Sequence, residues 1–215
     1  MPVDVAFFEQ ITARCQATGA TLVAVSKTKP AADIMALYEL GQRHFGENYV
    51  QELVEKADQL PPDICWHFIG HLQSNKVKYI APFVHLIHGI DSIKLLNEVE
   101  KQGKKLGRRV GCLLQLHIAQ ESTKFGFDPS EVKGIDLTQW PHAEVRGLMG
   151  MASFSNSEPQ VRQEFLQLKQ SFVDLKAHYT QLDTLSMGMS GDYNLALDCG
   201  SNMLRIGSLL FGSRG

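Results

Sequence analysis

The chain has no Cys-x-x-Cys pair, and its four cysteines, Cys15, Cys65, Cys112 and Cys199, are scattered. That spacing gives neither a disulfide framework nor a zinc site built on cysteine pairs. Cys65 and Cys112 sit in apolar strand-like runs and read as small buried hydrophobes in a reducing compartment. Cys199 lies near a candidate site loop, where the alternative is a reactive thiol. No apolar stretch reaches the roughly 20 residues a membrane-spanning helix needs. The opening Met1-Pro2-Val3-Asp4 lacks the basic region and apolar core of a secretory signal. Excess charge is missing too. A net charge of -2 gives no general reason to expect nucleic acid or an anionic membrane as partner. One local basic cluster exists, Lys101, Lys104, Lys105, Arg108 and Arg109, in a Gly-containing turn. It reads as a solvated turn, with an interaction patch as the alternative. No Gly/Ser/Pro-rich linker divides the 215 residues, and 44% of them are hydrophobic. A single cytoplasmic domain over 1–215 with a sizeable core is expected.

What is present is alternation. After an amphipathic segment at about 4–18, strand-like runs occur at 21–26, 43–45, 66–69, 86–89, 110–118, 145–149, 184–187 and 203–206. Between most of them, apolar residues recur at three- and four-residue spacing, at 33–42, 49–59, 74–80, 92–102 and 158–179. In the last of these Val161, Phe165, Leu168, Phe172 and Leu175 form one stripe. A shorter helix is expected at 192–199, and a short helix with loop at 129–140. Eight strands alternating with helices imply a parallel sheet with crossover helices. An open doubly wound sheet satisfies that pattern. Eight units in about 200 residues, with such short strands, favour an α/β (β/α)8 TIM barrel with an extra N-terminal helix.

In such a barrel, chemistry sits where strands end, and phosphate binds in the loops after strands seven and eight. Lys27 ends the run Thr21-Leu22-Val23-Ala24-Val25-Ser26. An ammonium held at the mouth of a core loses its proton more easily and can attack a carbonyl to form a Schiff base. Lys29 is its neighbour and competitor, but it precedes Pro30 and reads as loop. Glu47 and Asn48 end strand two, Gly70 and His71 strand three, and Met149 and Gly150 strand six. Met189 and Ser190 follow strand seven, and Gly207 and Ser208 follow strand eight. Glycine lets backbone N–H groups approach phosphate closely, and a helix starting at Ser208 would add donors. An aldehyde trap opposite a phosphate seat suggests pyridoxal 5'-phosphate. His67 and His71 have an H-x3-H spacing, but they straddle a strand and its loop, so no zinc site is expected there. His85 and His88 read as hydrogen-bonded strand-end histidines, and Met149, Met187 and Met189 as core or ring-packing residues.

These segments carry a resemblance. Ala24-Val25-Ser26-Lys27-Thr28-Lys29-Pro30, Phe45-Gly46-Glu47-Asn48-Tyr49, Trp66-His67-Phe68-Ile69-Gly70, Leu72-Gln73-Ser74-Asn75-Lys76, Gly147-Leu148-Met149, Leu185-Ser186-Met187-Gly188-Met189-Ser190 and Arg205-Ile206-Gly207 occur in one order over nearly the whole chain. The chain resembles the pyridoxal phosphate homeostasis protein family, whose fold is the alanine racemase-like barrel of fold type III. The resemblance implies that Lys27 holds the cofactor as an internal aldimine. It implies that Ser190, Gly207 and Ser208 hold the phosphate, that Arg205 faces the pyridine nitrogen, and that Asn48 lies beside the ring, with Met189 in the same site. On the residues alone, Arg205 also reads as a structural ion-pair partner. Two departures from the family pattern stand near strand ends, His71 before the Leu-Gln pair and His117 in Leu114-Gln115-Leu116-His117. Both stand where a change can alter the cofactor's surroundings without removing its anchors, and neither has an assigned role. The loop 122–127 resembles a family segment without an assignable chemical role.

Two classes of function follow. One is a carrier that buffers and delivers pyridoxal phosphate, with transient contacts to apo-enzymes. The other is a pyridoxal phosphate-dependent amino acid racemase of low activity. Racemisation needs two proton-moving groups. In the alanine racemases the second is a tyrosine offered across a dimer beside an extra β-domain. The resemblance ends at Gly215, after the eighth unit, so a monomeric carrier without efficient catalysis is the expectation. A Schiff-base aldolase on the same barrel is the third reading, disfavoured by Lys27 on strand one and by Arg205.

Overall fold

The computed structural model describes residues 3–120 and 125–212. Helix α1 (Val5–Thr18) opens the chain. Asp4 caps it by accepting from the Phe7 N–H at 2.9 Å, and Gly19, at φ 67°, ends it in the left-handed region. Strands and helices then alternate as β1 (Thr21–Val25), α2 (Ala31–Glu39), β2 (His44–Glu47), α3 (Val50–Gln59) and β3 (Cys65–Phe68). A 3-10 turn (Ser74–Lys76) and α4 (Val77–Ile80) follow, then β4 (Leu86–Ile90), α5 (Ile93–Leu106) and β5 (Val110–Leu116). The second half runs through α6 (Pro129–Val132), a 3-10 turn (Leu137–Gln139), β6 (Ala143–Gly150), α7 (Glu158–Lys176), β7 (Thr184–Ser186), α8 (Tyr193–Asp198), β8 (Met203–Ile206) and α9 (Ser208–Phe211).

The eight strands pair in sequence order, all parallel, and close as a barrel. Closure is made by β1 against β8, with Thr21 opposite Met203 and Val23 opposite Arg205. The open-sheet alternative is thereby excluded. Strands buried on both faces are rich in apolar residues, and all seven residues of β5 are buried. The outer faces pack against the helices in one large core that includes Phe45, Phe68 and Phe165. Inside the barrel, Val23, Leu86, Leu113, Met149 and Met203 form a separate small cluster.

The differences from the sequence expectation lie at element ends. The strand expected over 110–118 stops at Leu116, where Phe127 pairs back onto it. The helix expected over 92–102 runs on to Leu106, because Ser92 caps its start and Gly107 (φ 62°) ends it. The basic cluster forms the last turn and cap of this helix. Arg108 donates to the carbonyls of Ala81 and Val84, so it ties loops together. Residues 129–140 form two single turns joined by a loop. Among the described residues no helix is long and apolar enough to cross a membrane.

Candidate functional site

The C-terminal ends of β1, β2, β3, β6, β7 and β8 surround a pocket of about 510 Å³. All seven residues expected at a site, Lys27, Asn48, Met189, Ser190, Arg205, Gly207 and Ser208, line it. Val25, Ile69, Met151 and Phe154 add apolar wall. The volume and the mostly apolar lining with a few polar groups are those of a small-molecule site.

Lys27 lies two residues beyond the end of β1 and is clamped on both sides. Before it, the buried Ser26 donates its hydroxyl to Glu47 Oε1 at 2.6 Å, and its carbonyl accepts from Lys56 Nζ at 2.9 Å. After it, Thr28 takes φ 63° and donates its N–H to Glu52 Oε1 at 2.6 Å. A non-glycine residue in that region is uncommon and is held by its surroundings. Lys56 joins the two halves, with its Nζ 2.7 Å from both Glu47 Oε1 and Glu52 Oε1. Burial is the main influence on the Glu47 carboxyl and pushes it upward, while Lys56 and Ser26 pull it back. Its other oxygen, Oε2, is buried without a hydrogen-bond partner.

Lys29 also borders the pocket, but its ammonium donates to the Phe211 carbonyl at 2.8 Å. This contact ties the loop after β1 to α9.

Opposite Lys27, the loops after β7 and β8 meet. The Gly207 N–H approaches the Ser190 hydroxyl at 3.4 Å, a long contact. A Cβ on Gly207 would crowd Val25, so the backbone comes close to β1 there. The helix expected at Ser208 is a single turn, Ser208–Phe211. Its dipole is therefore slight, and the useful donors are its first N–H groups, which no helix satisfies internally.

Arg205 points into the barrel, only 4% exposed. It donates to Ser186 Oγ at 2.6 Å and to the Gly150 carbonyl at 3.0 Å. Burial lowers its pKa to about 10, so it stays charged at neutral pH. Asn48 Oδ1 is buried with no hydrogen-bond partner. Its loop is packed against Gly70, where a side chain would overlap the Asn48 carbonyl.

A polar file inside the barrel went unread in the sequence. His44 Nδ1 lies 2.9 Å from His67 Nε2, and His67 Nδ1 lies 2.8 Å from His88 Nε2. His88 Nδ1 then lies 3.1 Å from Ser186 Oγ, the acceptor of Arg205. His88 is thus a fully buried interior residue and not a strand-end one. The signal that could have found it is inward alternation in three successive short strands.

Other expectations are corrected. His71 lies outside the pocket lining, exposed, with its ring stacked on Phe125 at 4.1 Å and Nδ1 3.1 Å from Asp91. His117 is likewise absent from the lining; its N–H donates to the Phe127 carbonyl. Cys199 is 1% exposed and burial raises its thiol pKa, which opposes a reactive role. Glu47 and Met149 are buried beneath the pocket and do not line it. Of the loop 122–127, residues 122–124 lie outside the described residues. Phe125 accepts from Gln115 Nε2 at 2.8 Å through its carbonyl.

Comparison with known proteins bears on this site. Residues 8–215 match the family model described as alanine racemase, N-terminal domain. A protein of Pasteurella multocida named pyridoxal phosphate homeostasis protein is 40% identical over 200 residues, covering 90% of this chain and 86% of that protein. PipY of Synechococcus elongatus, solved without pyridoxal phosphate, superposes with a TM-score of 0.88 at 35% identity over 95% of this chain and 99% of PipY. Its structure with pyridoxal phosphate bound gives 0.84 at 34% identity, with 94% and 99% coverage. An alanine racemase of Clostridium difficile shares the fold, with a TM-score of 0.78 at 14% identity over 100% of this chain and 59% of that one.

Proposed function

Because the chain belongs to the pyridoxal phosphate homeostasis proteins, a family built on the alanine racemase N-terminal domain, we propose that it binds pyridoxal 5'-phosphate in this pocket and acts as a carrier. It buffers the cofactor and delivers it to apo-enzymes in the cytoplasm, as a monomeric single domain over 1–215. The family is named for homeostasis and not for a reaction. The observation that carries the reading is the pocket itself. A clamped strand-end lysine and a Gly/Ser cradle line one cavity, as the bound cofactor of PipY would require of a protein so similar.

The residues present fit the cofactor. Asn48 Oδ1, a buried acceptor without a partner, and the close-set backbone at Gly207 both suit a polar ligand. When bound, the cofactor supplies an aldehyde that combines reversibly with amines and a phosphate that anchors it. In this assignment Lys27 is the covalent attachment point. Ser190, Gly207 and Ser208 hold the phosphate through hydroxyl and N–H donors. Arg205, held by Ser186 Oγ and the Gly150 carbonyl, would face the ring nitrogen with its remaining guanidinium donors, and Asn48 and Met189 would border the ring. Ile69 and Met151 give apolar wall on one side, and Phe154, fully exposed, stands at the rim.

Two outcomes are expected. Borohydride treatment of the yellow protein should fix a pyridoxyl group on Lys27 alone, as read by peptide mapping. Recovery on Lys29 would sink the assignment. Pyridoxal lacking phosphate should bind at least about 100-fold more weakly, because charge-assisted bonds to a dianion are the strong ones. Equal affinities by fluorescence titration would mean that the loops after β7 and β8 are not the phosphate seat.

A further inference from the structure

The barrel end opposite the pocket carries a second group of chemistry-bearing residues. His44 opens β2, His67 lies within β3, and His85 immediately precedes β4. Their ring centroids stand 5.2 Å apart for His44 and His67, 5.3 Å for His67 and His85, and 5.5 Å for His44 and His85. One ring nitrogen from each lies within 4.8 Å of the other two. A tetrahedral metal with nitrogen bonds of about 2.0–2.1 Å holds imidazole centroids about 3.2 Å away, hence about 5.2 Å from one another. The observed triangle is nearly equilateral and has that side. We infer that His44, His67 and His85 form a binding site for a divalent transition metal of the Zn2+ class, remote from the cofactor pocket.

The groups behind the triangle complete the case. A ligating histidine almost always donates its second ring nitrogen to a fixed partner, which sets its tautomer. His67 is fully buried, and its Nδ1 lies 2.8 Å from His88 Nε2. His67 Nε2 lies 2.9 Å from His44 Nδ1, so one of these nitrogens carries a proton that the metal would replace, leaving His44 protonated on its other ring nitrogen. With His67 Nε2 on the metal, Nδ1–H donates to His88, and His88 Nδ1–H donates to Ser186 Oγ. Ser186 Oγ also accepts from Arg205, which uses the two lone pairs a hydroxyl offers. Both imidazole N–H groups of this relay then have an acceptor.

His44 and His85 are only partly buried, so the fourth coordination position opens toward solvent. A neutral all-imidazole donor set suits Zn2+, Cu2+ or Ni2+ and gives Mg2+ or Ca2+ no hard oxygen. Two cations stand near. Arg146 is paired with Asp183 at 2.7 Å, and Arg108 donates to the Ala81 and Val84 carbonyls. They weaken the site without closing it.

The test is titration of the full-length, cofactor-loaded protein with Co2+ and with Zn2+. Co2+ should produce the visible bands of a tetrahedral nitrogen site at one equivalent, and Zn2+ should erase them. His44→Asn and His85→Asn, both at partly exposed positions, should each weaken Zn2+ at least about 100-fold, with unchanged circular dichroism. Cys65→Ser is the control, since Cys65 pairs with His44 across β2 and β3; its affinity should match the parent. No tetrahedral cobalt spectrum, undiminished Zn2+ binding in His85→Asn, or loss of binding in Cys65→Ser would each overturn the site. Because Lys27 labelling is scored separately, failure here leaves the cofactor assignment standing.

Discussion

Replacing Lys56 with methionine is expected to cost the fold about 3–5 kcal/mol at neutral pH, the usual penalty for removing one partner of a buried ion pair. Lys56 has a side chain 9% exposed, and that of Glu47 is 0% exposed. Methionine keeps the length and the apolar stem but leaves Glu47 with a desolvated carboxyl and only Ser26 for company. In a chain of this size the loss corresponds to a fall in melting temperature of roughly 6–20 °C. The pH dependence has a definite sign. Burial already raises Glu47, and loss of its cation raises it further in the folded variant. The folded form then binds the proton more tightly than the unfolded form. Stability of the variant therefore falls as pH rises from the unfolded glutamate value of about 4.3 through the folded one. Urea denaturation should show a larger deficit at pH 8 than at pH 5, and Glu47→Gln in the same chain should restore part of it. A deficit below about 1 kcal/mol, or one equal at both pH values, would place this pair among those that contribute nothing measurable.

The same substitution should reach the pocket. Ser26 and Thr28 bracket Lys27, and Lys56 is the atom bridge between their two carboxylate partners. Loosening that bridge releases the backbone on which Lys27 is mounted. Cofactor retention should then decline although Lys56 does not line the pocket.

Much of this arrangement was legible in the sequence, for identifiable reasons. Short apolar runs alternating with amphipathic ones define the βα repeat, and eight repeats leave little choice but closure. Strand ends then locate Lys27, Asn48, Ser190 and Arg205, because each lies in the last residues of a strand or in the first few that follow it. Lys56 was missed because it sits on an amphipathic helix, where its spacing is that of a solvated residue. Only tertiary packing turns it under the loop after β1. The histidine file was missed for a related reason. His44, His67 and His88 come from three different strands, 23 and 21 residues apart, and no local window contains two of them. His67 and His71 share a window, and that proximity misled: one is inside the barrel and the other exposed.

Amino acids incubated with the cofactor-loaded protein are expected to show no racemase, transaminase or decarboxylase turnover approaching one per second. Two features of the pocket argue for this. First, Arg205 offers only donors and remains charged at neutral pH even with its pKa lowered to about 10. Its N–H groups can donate a hydrogen bond to a ring nitrogen but do not give it a proton, whereas a carboxylate in that place would keep such a nitrogen protonated and the ring strongly electron-withdrawing. Its hydrogen bonds to Ser186 and Gly150 fix it there, so it has little freedom to yield. Second, racemisation needs one group to remove a proton and another to return it on the opposite face. Among the described residues lining the pocket, the side-chain amines are Lys27 and Lys29, and no histidine, tyrosine or carboxylate joins them. Lys29 is committed to the Phe211 carbonyl. With Lys27 as the proposed attachment point, exchange of the cofactor with a free amine, which is what delivery requires, needs no second base, and no histidine, tyrosine or carboxylate among the described lining residues supplies one. Chiral chromatography of alanine and serine after long incubation reads the outcome directly. Turnover of about one per second or faster lies within the ordinary enzyme range. It would overturn the carrier reading in favour of a racemase and would require a second proton-moving group in the working site.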